Sequence, residues 1–219
     1  MNENLIVELE NKEIVTPTFR RLSTGKKNKI YGVALEMFSR MTYDQVALDI
    51  LANRAGVSKG SLFQYFDNKK NILEFISQIY FDYYSDFWRH YFENEQPVRA
   101  RERLFGFFTE HFEYFEDYPV EYGFYIKMNY ENSRDISGNF IELMNNCQLQ
   151  YINAILSRGA TVGEIRQDIE SEEISQLLLI ILKGLIRKEM NIEKGSRSNT
   201  EINARVKNII SFLFDGLAS

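Results

Sequence analysis

Along most of this chain apolar residues return every three or four positions, and they rarely alternate as a half-buried strand requires. The run Leu104, Phe107, Phe108, His111, Phe112, Phe115 keeps the i, i+3, i+4, i+7 spacing of a single helix face. Only three prolines, at 17, 97 and 119, stand in the way of long helices across 219 residues. That length allows one substantial core or two small ones. The fold class implied is all-α.

The spacing predicts about nine helices. From Lys26, Ile30, Val33, Ala34, Met37, Phe38 and Met41 mark a first apolar face. In "DQVALDILANRA" a short second helix is expected, with Asp44 as its N-cap and Val46, Ile50 and Leu51 pointing inward. "AGVS" then makes a tight turn, because Gly56 takes a positive φ at little cost and Ser58 is placed to cap the next helix. That third helix runs from Lys59 to Tyr65, with Leu62 and Phe66 on its buried side. Asn68 opens a fourth, reaching about Phe92, and Gln96 and Pro97 break the pattern. Further helices are expected from Val98 to Phe115, from Val120 to Met128, and over 137–158, 171–191 and 200–217. Pro17, Ser23, Thr24 and Gly25 interrupt any helix in residues 1–25, which read as a partly disordered N-terminal arm. Residues 26–70 read as one domain and 71–219 as a larger helical one.

The net charge of −5 argues against a nucleic-acid partner, but its distribution argues for one. Residues 15–70 carry +6, residues 1–14 carry −3 and the remainder −8. A basic module on an acidic body is expected where only one end meets phosphate. The single cysteine, Cys147, allows no internal disulfide and reads as an apolar filler on a helix. The acidic start has no signal-peptide pattern, and the longest apolar run, "LLLIILKGLI", is too short for a bilayer and contains Lys183. A cytoplasmic protein without an anchor is expected.

Helix, short helix, glycine turn, short helix is the layout of a helix-turn-helix, whose last member enters the major groove. The reading helix must start with small or polar residues so that its backbone can approach the bases. Ser58, Lys59, Gly60 and Ser61 meet that demand. Ser61 and Gln64 are candidates for base edges or nearby phosphates, and Lys59 for a guanine or a phosphate. Tyr65 offers a phenol to the DNA backbone, and Lys69 a cation at the mouth of the fourth helix.

Residues 26–73 resemble the DNA-binding domain of TetR-family transcriptional regulators. The resemblance rests on Ala34 and Phe38 in the first helix, Tyr43 before the second and the step Leu51-Ala52. "AGVSKGSLFQYF" follows, with Lys69 three residues later, and the spacing needs no gap. By that resemblance Phe63 occupies a phosphate-touching tyrosine position and Tyr65 a position where histidine is common. Phe63 lacks the hydroxyl with which a tyrosine bonds phosphate. Thr42 and Ala47 replace the usual glycine and threonine cap, consistent with a second helix that starts at Asp44.

The resemblance further implies a larger C-terminal domain for ligand binding and dimerisation. Two C-terminal apolar faces suit a four-helix interface: Ile174, Leu178, Ile181 and Leu185 on one helix, Ile202, Val206, Ile209 and Leu213 on the other. Gly184 would allow close approach. If these helices only cover their own core, the chain is a monomer instead. Phe87, Trp88, Tyr91, Phe108, His111, Phe112, Phe115, Phe124, Tyr125 and Met128 read singly as core. As a set they exceed what a compact helical core uses, so they are the candidate pocket for a hydrophobic or aromatic effector. Acidic neighbours would suit a cationic one, and acyl ligands fit equally.

No cofactor or metal is expected, because His90 and His111 have no further ligand at metal spacing. "STGKKNK" resembles a phosphate loop only superficially, and no nucleophile elbow is present, so an enzyme is not expected. The sequence therefore points to a homodimeric, ligand-responsive repressor on a pseudo-palindromic operator. The alternative is a DNA-binding protein controlled by a protein partner, with no small-molecule pocket.

Overall fold

A computed structural model of the chain describes residues 1–93, 99–166, 171–190 and 199–217. Among these residues there are eleven α-helices and no strand. They are α1 (Glu3–Asn11), α2 (Pro17–Arg20), α3 (Thr24–Arg40), α4 (Leu48–Ala55), α5 (Lys59–Tyr65) and α6 (Lys69–Glu93). Then follow α7 (Ala100–Asp117), α8 (Pro119–Ile126), α9 (Arg134–Thr161), α10 (Ser171–Met190) and α11 (Asn199–Leu217). A π-helical turn, Lys127–Glu131, continues α8. The predicted break at Gln96 and Pro97, and the predicted helix start at Val98, lie outside the described residues.

The two helices beyond the expected nine both fall in residues 1–25, so the disordered arm is corrected. Asn2 caps α1 by accepting from the Asn4 N–H at 3.1 Å, and Ile6 and Leu9 are buried. Pro17 begins α2 rather than breaking a helix, since the first helical position needs no N–H. The second correction concerns the helix expected from Asp44. The chain instead makes a 3₁₀ turn, Tyr43–Gln45, where Gln45 Oε1 accepts from the Thr42 N–H at 3.0 Å. The helix proper, α4, starts only at Leu48. That later start turns Leu51, Ala52 and Ala55 inward and leaves Ile50, expected inside, half exposed.

The chain divides into two compact units. The first joins Met1–Glu93 to Pro119–Leu143, and the second joins Asn94–Tyr118 to Met144–Ser219. In the first, α3 packs on α4, α6 and α8 through Ile30, Ala34, Met37 and Phe38. Helix α8 comes close to the end of α3: a Cβ on Gly123 would sit 2.9 Å from the Ser39 carbonyl oxygen, so only glycine fits. In the second unit, α7 packs on α10 and α11.

Candidate nucleic-acid interface

The turn between α4 and α5 is set by local chemistry. Gly56 ends α4 at φ 72°, a left-handed conformation that glycine adopts without strain. The Val57 N–H closes the turn on the Ala52 carbonyl at 3.0 Å. Ser58 is extended, and its Oγ accepts from the Ser61 N–H at 2.9 Å, capping α5. Leu62 and Phe66 anchor the helix from beneath. Ser58, Lys59, Gly60, Phe63 and Gln64 are exposed, and Ser61 is half-buried with its hydroxyl 2.8 Å from that of Ser58. A Cβ on Gly60 would meet only the Ser58 hydroxyl, at 3.8 Å. Nothing inside the protein demands a glycine there, so its smallness serves whatever approaches from outside.

Lys69 is tethered. Its Nζ lies 4.7 Å from the centre of the Tyr43 ring and donates to the Asp44 carbonyl at 3.3 Å. Partial burial pulls its pKa below the usual lysine range, against the opposing pull of Asp44. Tyr65 departs from expectation: it is only 6% exposed and sets its ring edge-on to Phe19. It therefore serves chiefly to seat α5, and at most its rim is left for DNA.

Sequence reasoning missed the N-terminal segment at this face. Thr16 Oγ1 donates to the Gln64 carbonyl at 2.6 Å, and the Thr16 N–H to the Tyr65 carbonyl at 3.1 Å. It also missed Asn132, whose Oδ1 accepts from the Tyr43 N–H at 2.8 Å. Neither contact leaves a local signal, since each joins positions far apart in the chain.

The family model described as "Bacterial regulatory proteins, tetR family" matches residues 30–76, from within α3 into α6. The head of the chain thus matches the TetR family. It is 27% identical over 161 residues to the biofilm operon icaADBC HTH-type negative transcriptional regulator IcaR of Staphylococcus aureus, covering 72% of this chain and 81% of that one. A TetR family transcriptional regulator from Chloroflexus aurantiacus has the same fold, with TM-score 0.66 and 19% identity over 94% of this chain and 99% of that one. So does FadR from Bacillus subtilis, solved in complex with stearoyl-CoA, with TM-score 0.70 and 19% identity over 84% and 97% of the two chains.

The ten candidate pocket residues fall in both units. Phe87, Trp88, Tyr91, Phe124, Tyr125 and Met128 belong to the first, and Phe108, His111, Phe112 and Phe115 to the second. Phe87 and Tyr91 are half-buried and the other eight are buried. Phe124 packs edge-on to Phe140 at 5.2 Å, and Trp88 edge-on to Tyr91 at 5.4 Å. His111 Nδ1 donates to the Phe107 carbonyl at 2.7 Å, and its Nε2 faces Gln148 Nε2 at 3.4 Å. Burial holds its pKa down at about 3, so the ring is neutral. Cys147 is buried and its thiol pushed up to about 12, which suits a filler and not a redox centre. A separate cleft of about 250 Å³ in the second unit is lined by Arg99, Arg103 and Arg158 among others. Within it the Glu164 carboxylate already accepts from the Ala100 N–H, at 2.7 Å, at the start of α7.

The residues expected at the dimer interface divide into two groups. Leu178, Leu185, Ile202 and Val206 are buried within the subunit itself, and Ile174, Ile181, Ile209 and Leu213 are half-buried. Among the described residues, the large apolar side chains exposed on α10 and α11 are Leu177, Ile180 (67% exposed) and Phe212 (79% exposed). With half-buried Ile181 and exposed Gly184, α10 presents a stripe at i, i+3, i+4, i+7. A Cβ on Gly184 would meet nothing within 4 Å, so this part of the stripe is open.

Proposed function

We propose that the chain is a cytoplasmic, homodimeric transcriptional repressor that binds a pseudo-palindromic operator and responds to a hydrophobic small molecule. The observation that carries this reading is the outer face of α5, where Ser58, Lys59, Gly60 and Gln64 are exposed and Ser61 is half-buried beside them. One such helix reads only a few base pairs. A dimer that sets two of them about 34 Å apart reads successive major grooves. The stripe Leu177, Ile180, Ile181, Gly184 on α10, and exposed Phe212 on α11, support a second copy as the partner, because an isolated subunit would leave large apolar side chains in water. Repression follows the sense of IcaR, a negative regulator, and the acyl class of effector follows FadR with its stearoyl-CoA.

Fluorescence anisotropy on DNA from upstream of the protein's own gene, against shuffled DNA, tests the core of this reading. Preference by roughly a thousandfold or more, at two subunits per site, is the expected result. Equal affinity for both DNAs, repeated with sites selected from random sequence, would sink it.

Control by a protein partner is the second reading, favoured by how completely eight of the ten candidate pocket residues are packed. A panel of acyl, aromatic and cationic compounds separates the two. Concentration-dependent rises in melting temperature support a pocket, and none across the panel supports the partner.

A further inference from the structure

Residues 1–22 lie ahead of the matched family region, and they hold the far end of the reading helix. A helix leaves its last carbonyls without intrahelical partners. At the end of α5, Thr16 supplies two donors: its Oγ1 reaches the Gln64 carbonyl at 2.6 Å and its N–H the Tyr65 carbonyl at 3.1 Å. Just upstream, the Glu13 carbonyl accepts from Asn71 Nδ2 at 2.9 Å, in the first turn of α6. Glu13 takes a left-handed φ of 57° where α1 ends, with the Ile14 N–H returning to the Leu9 carbonyl at 2.9 Å. Residues 13–16 thus form a clip from the end of α5 to the start of α6.

The clip is itself anchored. Phe19 is fully buried, 5.0 Å from the ring centres of both Phe66 and Phe75 and 6.2 Å from Tyr65. Ile6, Leu9 and Val15 are buried alongside, and the buried Lys27 ammonium pairs with the Glu3 carboxylate at 2.8 Å.

We propose that Thr16 and Phe19 are positioning residues for operator recognition: they hold the C-terminal end of α5 so that Gln64 meets base edges in one fixed register. A helix of seven residues has almost no stability of its own, so its orientation is only as fixed as its ends. Ser58 fixes one end and the clip the other. Gln64 is the residue whose carbonyl Thr16 binds, so it is the reader most exposed to any loosening. Lysines on long stems still reach phosphate when the helix tilts, whereas a side chain reading a base edge needs set distances and angles. A slack clip therefore erodes discrimination before it erodes grip. This inference rests on α5 being the DNA reader.

The test uses the full chain with Thr16→Val, which removes the hydroxyl at nearly constant volume, and Thr16→Ser, which keeps it. Deleting residues 1–22 would uncover Phe66 and Phe75 and could unfold the head, so the point variants carry the weight. Affinities are measured for a site that the wild-type protein enriches from random DNA and for a shuffled sequence, with melting temperature followed in parallel. Thr16→Val is expected to lower the ratio of specific to non-specific affinity by about tenfold. Its non-specific affinity and salt slope should stay as in wild type, and Thr16→Ser should keep the wild-type ratio. The clip is overturned if Thr16→Val keeps the ratio, if it weakens both DNAs alike, or if Thr16→Ser fails equally. Should the wild-type protein enrich no sequence, the head is no reader and the clip falls with it. Should wild type and Thr16→Val prove equally specific, only the clip falls.

Discussion

At the DNA face, Lys69 and Gln64 stand five positions apart and answer to different physics. Lys69 is a cation held over the Tyr43 ring and against the Asp44 carbonyl, so it is fixed in place and carries no pattern to match a base. Lys69→Ala should weaken binding to every sequence alike and flatten the salt slope by about one unit. Gln64 is exposed and can both donate and accept, so Gln64→Ala should relax preference at one base position and leave the salt slope unchanged. Salt titrations on two DNAs decide this, and equal behaviour of the two variants would refute the division. His111 gives a prediction of another kind. Its folded-state pKa of about 3 lies below the ordinary 6.5, so as pH falls the unfolded chain takes up the proton first. Its contribution is therefore complete above pH 6.5 and drains away between 6.5 and 3. The slope is about 1.4 kcal/mol per pH unit. Urea unfolding at neutral and mildly acid pH should show that loss in wild type and much less of it in His111→Gln. At this scale the sequence was readable wherever the chemistry is local: the Ser58 cap, the Gly56 turn, and Asn68, whose Oδ1 accepts from the Asn71 N–H at 2.9 Å. The burial of Tyr65 was not readable, because it depends on Phe19, which arrives from a distant part of the chain.

Among the helices, existence and order were legible and phase was not. The segment from Leu177 to Leu182 is apolar at six successive positions, so periodicity alone cannot say which side faces inward. The structure answers by burying Leu178, Leu179 and Leu182 and exposing Leu177 and Ile180. The same loss of phase misplaced Ile50, where a 3₁₀ turn shifted the start of α4. This phase decides what mutations should do. Ile180→Asp on α10 or Phe212→Asp on α11 places a charge on an exposed apolar side and should dissociate the proposed dimer while leaving the subunit folded. Leu178→Asp buries an unpaired carboxylate and should unfold the subunit. Light scattering with circular dichroism tells these apart. Folded dimers from both exposed-face variants would show that the interface lies elsewhere.

In the whole molecule, a head cut at residue 70 looks natural in the sequence, where the charge changes sign, yet the compact unit takes in α6, α8 and the start of α9. Surface charge follows what the domain meets, whereas compactness follows what it buries, and the two need not end at the same residue. The Ser39 carbonyl lies against Gly123, and the Tyr43 N–H donates to Asn132 at 2.8 Å, so α8 and its π-helical turn form one wall of the head. Phe124, Tyr125 and Met128 from that wall are each at most 1% exposed. At about 1.5–3 kcal/mol for each buried side chain, their removal would cost on the order of 5 kcal/mol or more. That is comparable to the whole stability of a small domain. A fragment of residues 1–93 holds every proposed DNA contact but lacks this wall, so it should melt broadly and well below the full chain. Specific DNA binding should be lost with it, and adding residues 119–143 as a separate peptide should sharpen the transition. A fragment that melts as cooperatively as the intact protein and keeps its operator preference would mean that the head stands alone, leaving α8 no hold on α3 through which an effector could act on DNA binding.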